Sequence, residues 1–383
     1  WALLSEAGLG PGQGAAHLEA RRGTLRVAGA DKHPDPGMSP WRFGVIGTLG
    51  DIVDSSLPTA LARPSKLNDT SWIRPGRAAW SWWFDSTSPA RPETQRAYVD
   101  AAAARGWEYV LVDEGWNPAW VADLVRYAAD RQVRIILWAR WQDVDAQLLD
   151  RIAGWGVAGI KVDFLHSDRR GRIAVYERIA RAAARRRLVV NFHGSTLPRG
   201  IERTWPNVLT LEAVRGAEHA KAGPVAAAHD VDLVFTRNAV GPMDYTPALT
   251  ARGSTPGHQL ANAVAFESGL QHLADTPDAY SAHPAADALL RALPVTWDDT
   301  RLLDGAPGSH ATLARRHGDT WWIAHVHAGP ATQRTVALDF LPPGQAYRAT
   351  ITGEETTETT VTSSDRLTVP VAADGGFVVR LTR

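Results

Sequence analysis

The sequence predicts a (β/α)8 TIM barrel, an α/β fold, followed by a small C-terminal antiparallel β-domain and preceded by a short β-rich stretch. Three observations carry this expectation. Near-continuous apolar runs alternate with amphipathic stretches from about residue 77 onward, as a parallel sheet covered on both faces requires. The alternation extends over roughly 200–250 residues, the usual length of a closed barrel. No glycine-rich phosphate fingerprint follows the first apolar run, which an open dinucleotide-binding sheet would need.

Residues 1–75 hold short alternating segments such as LEARRGTLRVAG (18–29) and WRFGVIGTL (41–49), with Gly and Pro marking a turn at 34–40. They predict strands and loops without long helices, and are expected to be the C-terminal part of a β-sandwich. The barrel is expected over 76–303. RAAWSWW (77–83), YVLVDEGW (109–116), RIILWARW (134–141), GIKVDFL (159–165), LVVNFHG (188–194) and VLTLEAV (208–214) are its first six strands. Helices are expected between them over 93–106 (stopped by Gly106), 119–131, 143–156 and 170–187. LVFTRNAV (233–240) is expected as the seventh strand, LANAVAFES (260–268) as a helix and LQHLAD (270–275) as the eighth strand. From 304 to 383 the helical pattern stops, and short strands joined by Gly, Pro and Asp turns predict a β-sandwich domain. The polar tract at 352–365 is expected to be an exposed strand and hairpin.

Composition narrows the function. Lys plus Arg (41) equals Asp plus Glu (41), so no net field favours nucleic acid or an anionic membrane. No apolar run reaches membrane-spanning length. The absence of cysteine removes disulfides, thiol catalysis and thiolate-bound metals. Sixteen tryptophans fit a carbohydrate site, where aromatic faces stack on sugars, although most are expected to be core anchors. The chain starts at Trp1 with no signal-peptide pattern, so it is expected to be a fragment or processed form.

A barrel places its chemistry at the C-terminal ends of its strands. The polar residues there are Asp85 after the first strand, and Asp113, Glu114 and Trp116 after the second. Arg140 and Trp141 end the third and Asp163 the fourth; Asn191 and His193 end the fifth. Glu212, Arg215 and Glu218 lie at and beyond the sixth, and Arg237 and Asn238 end the seventh. This set is rich in carboxylates and lacks both a metal-binding HExxH and a serine elbow. Paired carboxylates flanking one bond are what glycosidic cleavage needs, one protonated and one ionised.

WSWWFDSTSP, ETQRAYVDAAAARGWEYVLVDEGW, GIKVDFLHSD, VVNFHGSTLPRGIERTWPNVLTLEAVRGAE, FTRNAVGPMDYTP and WDDTRLLDG resemble glycoside hydrolase family 97, in order and spacing over nearly the whole chain. The resemblance implies Asp163, in GIKVDF, as nucleophile and Glu218, in EAVRGAE, as general acid/base. It implies calcium (Ca2+) as cofactor, with Glu212 as ligand, Glu218 close to the same ion, and Glu6, in LLSEAGL, as a further ligand. The family's inverting branch has Glu directly after the strand-five His and lacks the strand-four Asp. Here Gly194 follows His193 and Asp163 is present, which resembles the retaining, α-galactosidase-like branch. A bacterial extracytoplasmic location is the family-level expectation.

Plainer readings stand beside these. Asp163 could cap the next helix, Glu218 could pair with Arg215, and Glu212 needs an arginine or a cation to offset its burial. Asp113, Lys161 and His193 are expected either to bind sugar hydroxyls or to make structural hydrogen bonds. Trp116 and Trp141 either stack on sugar or line the mouth. At least one of Trp82 and Trp83 is expected in the core. Arg237 and Asp244 are expected to form an ion pair. The expected function is a calcium-dependent retaining exo-α-glycosidase, an α-galactosidase first, acting on an oligosaccharide or glycoside. An α-glucosidase, a β-L-arabinopyranosidase and a non-catalytic carbohydrate-binding fragment are the alternatives.

Overall fold

The computed structural model describes residues 1–29 and 39–383, so the turn expected at 34–40 falls largely outside the described residues. Strand β1 (Ala2–Ala7), the hairpin β2 (Ala16–Arg21)–β3 (Thr24–Gly29) and β4 (Trp41–Ile46) come first. β1 pairs antiparallel with β4. Two short helices, Leu49–Val53 and Leu57–Ala60, lead to the barrel.

The barrel strands are β5 (Gly76–Trp80), β6 (Tyr109–Val112), β7 (Arg134–Arg140), β8 (Gly159–Asp163), β9 (Val189–Phe192), β10 (Val208–Leu211) and β11 (Leu270–Leu273). They form one parallel sheet in the order β10-β9-β8-β7-β6-β5-β11. Their apolar residues are buried because helices cover the outer face, which is why the runs do not alternate with polar residues.

The seventh strand is a correction. LVFTRNAV forms the end of a helix, Ala227–Phe235, and a 3-10 turn, Asn238–Val240. A short apolar run fits a buried helix as well as a strand, and here the helix wins. The missing stave is reduced to Met243, which makes a single parallel bridge to Leu211. Its amide donates to the carbonyl of Glu267 (2.7 Å), and the amide of Asp244 donates to Leu211 (3.0 Å). Seven strands and this one bridging residue take the place of the expected eight strands.

Side-chain caps open three of the helices. Asn117 accepts from the amide of Ala119, Asp145 from Leu148 and Thr255 from His258, opening helices Pro118–Ala129, Ala146–Gly154 and Pro256–Ala265. Helix Pro92–Arg105 ends at Gly106 in the left-handed conformation, as expected. None of the helices among the described residues is long and apolar enough to cross a membrane.

The C-terminal strands are β12 (Asp299–Ala306), β13 (His310–His317), β14 (Thr320–His327), β15 (Thr332–Ala337), β16 (Tyr347–Thr352), β17 (Thr356–Val361), β18 (Arg366–Val371) and β19 (Gly376–Thr382). A six-stranded antiparallel sheet, β12-β13-β14-β19-β16-β17, is joined by the pair β15-β18. Alternation along β14 divides its side chains between two cores. Trp322, Ala324 and Val326 join the barrel core, while Trp321 and Ile323 fill the domain's own core. The polar tract forms an exposed hairpin of β16 and β17, as expected.

Candidate active site

Lys161 and Asp163 are two residues apart on β8 and so share one face of the strand. Lys161 is fully buried, and its ammonium donates to Oδ2 of Asp113 at 2.9 Å, just past the end of β6. Trp80 on β5 donates its indole N–H to the same oxygen at 2.8 Å, and the ammonium lies 4.4 Å from the Trp80 ring centroid. A buried charge is tolerable only when paired in this way. Burial opposes the Lys161 charge, but Asp113, Glu218 and Asp163 outweigh it and hold the pKa above the ordinary lysine value.

Two donors fix Asp163. The indole N–H of Trp138 donates to Oδ2 at 3.0 Å, and the amide of Phe164 donates to Oδ1 at 2.6 Å. Burial alone would raise its pKa, yet the charges of His193 and Lys161, with these two hydrogen bonds, hold it below the usual carboxylate range. The group is thus kept ionised.

Glu218 sits on the 3-10 turn Ala217–Lys221. Its amide donates to Oγ1 of Thr246 at 3.1 Å, and the amide of Ala217 donates to the carbonyl of Tyr245 at 2.9 Å. Burial pushes its pKa up; Lys161 and His193 oppose this, while Glu212 and Asp113 add to it. Its Oε2 is buried without a hydrogen-bond partner among the described residues. Asp163 and Glu218 therefore carry opposite shifts, the pattern of a base and an acid.

His193, Glu212 and Glu218 each place one ligand atom within 4.8 Å of the others. Oε2 of Glu212 accepts from the amide of Gly194 at 2.6 Å. Nδ1 of His193 lies 3.5 Å from Glu212 and 3.7 Å from Glu218, while Nε2 reaches Asp244 at 3.0 Å. Burial would lower the pKa of His193, but Glu212 and Asp244 lift it to about 9. Only Nε2 makes a hydrogen bond, to Asp244, while Nδ1 faces the two carboxylates. The two carboxylates, one with an orphaned oxygen, fit a hard cation that takes oxygen ligands.

Glu6, the further ligand that the resemblance implies, is not among the three residues whose ligand atoms cluster. Its carboxylate is 2.9 Å from Nε of Arg199 and accepts from the amide of Ala16 at 2.9 Å, so an arginine already offsets its charge. The expected Arg237–Asp244 pair is also absent. Arg237 donates to the backbone carbonyls of Leu211, Glu212, Gly241 and Pro242. Asp244 instead accepts from Asn191 (2.6 Å), His193 (3.0 Å) and His272 (2.9 Å). The indole N–H of Trp116 donates to the carbonyl of Trp138 at 2.7 Å. Trp141 stacks against the guanidinium of Arg172 at 3.7 Å. Trp83 is buried and Trp82 partly exposed. The sequence reading passes over Trp138, although it lies two residues before Arg140, on the same face of β7.

The chain is similar to several known proteins. The family model for glycoside hydrolase 97 matches residues 72–214, and that for the glycosyl-hydrolase 97 C-terminal, oligomerisation region matches 296–382. A probable retaining alpha-galactosidase of Streptomyces bingchenggensis is 39% identical over 98% of this chain and 64% of its own length. A retaining alpha-galactosidase of Bacteroides thetaiotaomicron is 34% identical over 85% of this chain and 55% of its own. The chain thus spans under two thirds of either relative. A family 97 enzyme from Pseudoalteromonas in complex with acarbose superposes with a TM-score of 0.92 at 26% identity, over 100% of this chain and 72% of that one. A beta-arabinopyranosidase superposes with a TM-score of 0.87 at 28% identity, over 99% and 69%.

Proposed function

Because the chain belongs to glycoside hydrolase family 97, we propose that it is a retaining exo-α-glycosidase, an α-galactosidase first, working by double displacement through Asp163 and Glu218. The observation that supports this reading is the pair of opposite biases, the pKa of Asp163 held down by Trp138, Phe164, His193 and Lys161 against its burial and that of Glu218 pushed up by burial.

In the first step an Asp163 oxygen attacks the anomeric carbon, while Glu218 gives its proton to the departing glycosidic oxygen. The Trp138 and Phe164 donors aim the attacking carboxylate. In the second step Glu218, now a carboxylate, takes a proton from water, whose oxygen attacks the anomeric carbon and releases Asp163. Lys161, Asp113 and His193 bind and orient sugar hydroxyls around this centre. Calcium would be held by Glu212 and Glu218, with water or sugar oxygens completing its shell. When bound, it would supply positive charge that orients the sugar.

The similar α-galactosidases support galactose as the sugar, and the similar beta-arabinopyranosidase keeps L-arabinopyranose open. The two share the orientation of the axial hydroxyl. NMR of the first-formed anomer from an aryl α-galactoside tests the proposal. Initial α-galactose is expected, and initial β-galactose would refute retention. The same assay on aryl α-glucoside and β-L-arabinopyranoside ranks the sugars.

A further inference from the structure

Beyond residue 46, the exposed large hydrophobic side chains among the described residues are Phe84 (60% exposed) and Phe164 (39%). Both follow barrel strands, β5 and β8, at the C-terminal end where the reacting carboxylates lie. Exposed aromatics at a catalytic rim point to a ligand with an apolar face.

Resting on the double-displacement reading above, we propose that Phe84, with Trp82 and Lys221, forms the subsite that receives the departing group, and that this group is a pyranose. The favoured substrates are therefore α-linked di- and oligosaccharides.

Stereochemistry separates the two rim aromatics. In a retaining displacement the nucleophile and the acid stand on opposite faces of the anomeric carbon, and the leaving oxygen lies on the acid's side. Phe164 is adjacent to Asp163 in sequence and packs edge-on against Trp138, which holds that carboxylate. It belongs to the nucleophile's side. Phe84 instead lies two residues after Trp82, which is tied to the turn that carries Glu218. Lys221, three residues after Glu218 on the same turn, donates to the carbonyl of Trp82 at 3.1 Å and lies 4.1 Å from its ring centroid. Trp82 in turn stacks on Trp80, with centroids 5.9 Å apart and planes within 10°.

The platform is pre-formed. Asp85 pairs with Arg91 and accepts from the amide (2.9 Å) and hydroxyl (2.7 Å) of Thr87. Its own amide donates to the carbonyl of Ser81 at 3.1 Å. The loop is thus pinned on both sides of Phe84, whose ring stacks on no other among the described residues. A pyranose presents one face of C–H groups for such a ring and hydroxyls around its edge, and Lys221 supplies the ammonium donor for those hydroxyls. A small leaving group reaches neither.

The test compares an α-galactosyl fluoride, whose leaving group is too small for the subsite, with an α-linked galactosyl disaccharide. Phe84→Ala is expected to lower the ratio of kcat/KM (disaccharide over fluoride) by about tenfold, equivalent to about 1.4 kcal/mol. Phe84→Trp should bring the ratio back. Phe164→Ala is the control on the nucleophile's side and should not move it. A parallel fall of both substrates in Phe84→Ala, or a ratio that follows Phe164 instead, overturns the assignment. If the unmodified chain hydrolyses neither substrate, the glycosidase reading itself fails and the subsite falls with it.

Discussion

Gly194 and Asp163 meet so closely that a β-carbon at Gly194 would lie 3.2 Å from Oδ1 of the carboxylate. The same β-carbon would lie 3.1 Å from the amide nitrogen of Phe164 and 2.8 Å from Cε1 of His166. Gly194 also has φ +50°, a left-handed conformation that costs other residues about 1–2 kcal/mol. Its amide holds Glu212. A side chain here would press on the nucleophile and on the donor that aims it. Gly194→Ala should therefore lower kcat by about a hundredfold, the scale of a 1 Å misplacement. Steady-state kinetics with a circular-dichroism check of folding tests this. A kcat within about threefold of the unmodified chain would mean that the contact relaxes without catalytic consequence.

The opposite pKa shifts at Asp163 and Glu218 give the pH dependence a sign. Activity requires Asp163 ionised, so it rises as pH climbs through that lowered pKa. It also requires Glu218 protonated, so it falls as pH passes the raised pKa of that group. An acidic optimum is expected, with the basic limb belonging to Glu218. In Glu218→Gln, the residual hydrolysis of an aryl glycoside with a good leaving group should lose its basic limb. Persistence of that limb would assign it to another group.

The parts of the site that are legible in the sequence are those at the ends of unmistakable apolar runs. Asp113, Asp163 and His193 each close such a run, and period two puts Lys161 on the same face as Asp163. The seventh stave is not legible, because one bridging residue, Met243, leaves no periodic trace. Asp244 is hidden for the same reason. Its partners His193 and His272 come from two other staves, and nothing local distinguishes it from a loop aspartate. Glu6 shows a different limit: its motif is recognisable, but nothing local in sequence announces its ion pair with the distant Arg199.

Lys161 and Asp113 form a buried ion pair at the end of the barrel strands. Lys161→Met fills most of the same space but leaves Asp113 buried without its counter-charge. The hydrogen bonds from Trp80 and the amide of Glu114 remain. Breaking one side of such a pair costs about 3–5 kcal/mol. Urea unfolding should show that loss, and Lys161→Met combined with Asp113→Asn should recover part of it. A loss under about 1 kcal/mol in the single variant would show the pair to be water-accessible and weakly coupled.

Glu212 and Glu218 bring one ligand oxygen each within 4.8 Å of the other and of the His193 ring. A divalent cation that takes their oxygens binds the folded chain and not the unfolded one, so it must raise thermal stability by mass action. At a concentration one hundred times its Kd the gain is about 2.7 kcal/mol. Calcium titration followed by thermal unfolding should therefore raise Tm, and chelation should reverse the rise. Glu212→Gln removes one charged ligand and should abolish most of the shift, whereas Glu6→Gln should preserve it because Arg199 engages that carboxylate. A calcium-dependent Tm that survives Glu212→Gln but vanishes in Glu6→Gln would move the ion to the Glu6 side of the barrel mouth. That result would restore the ligand assignment that the Arg199 contact argues against.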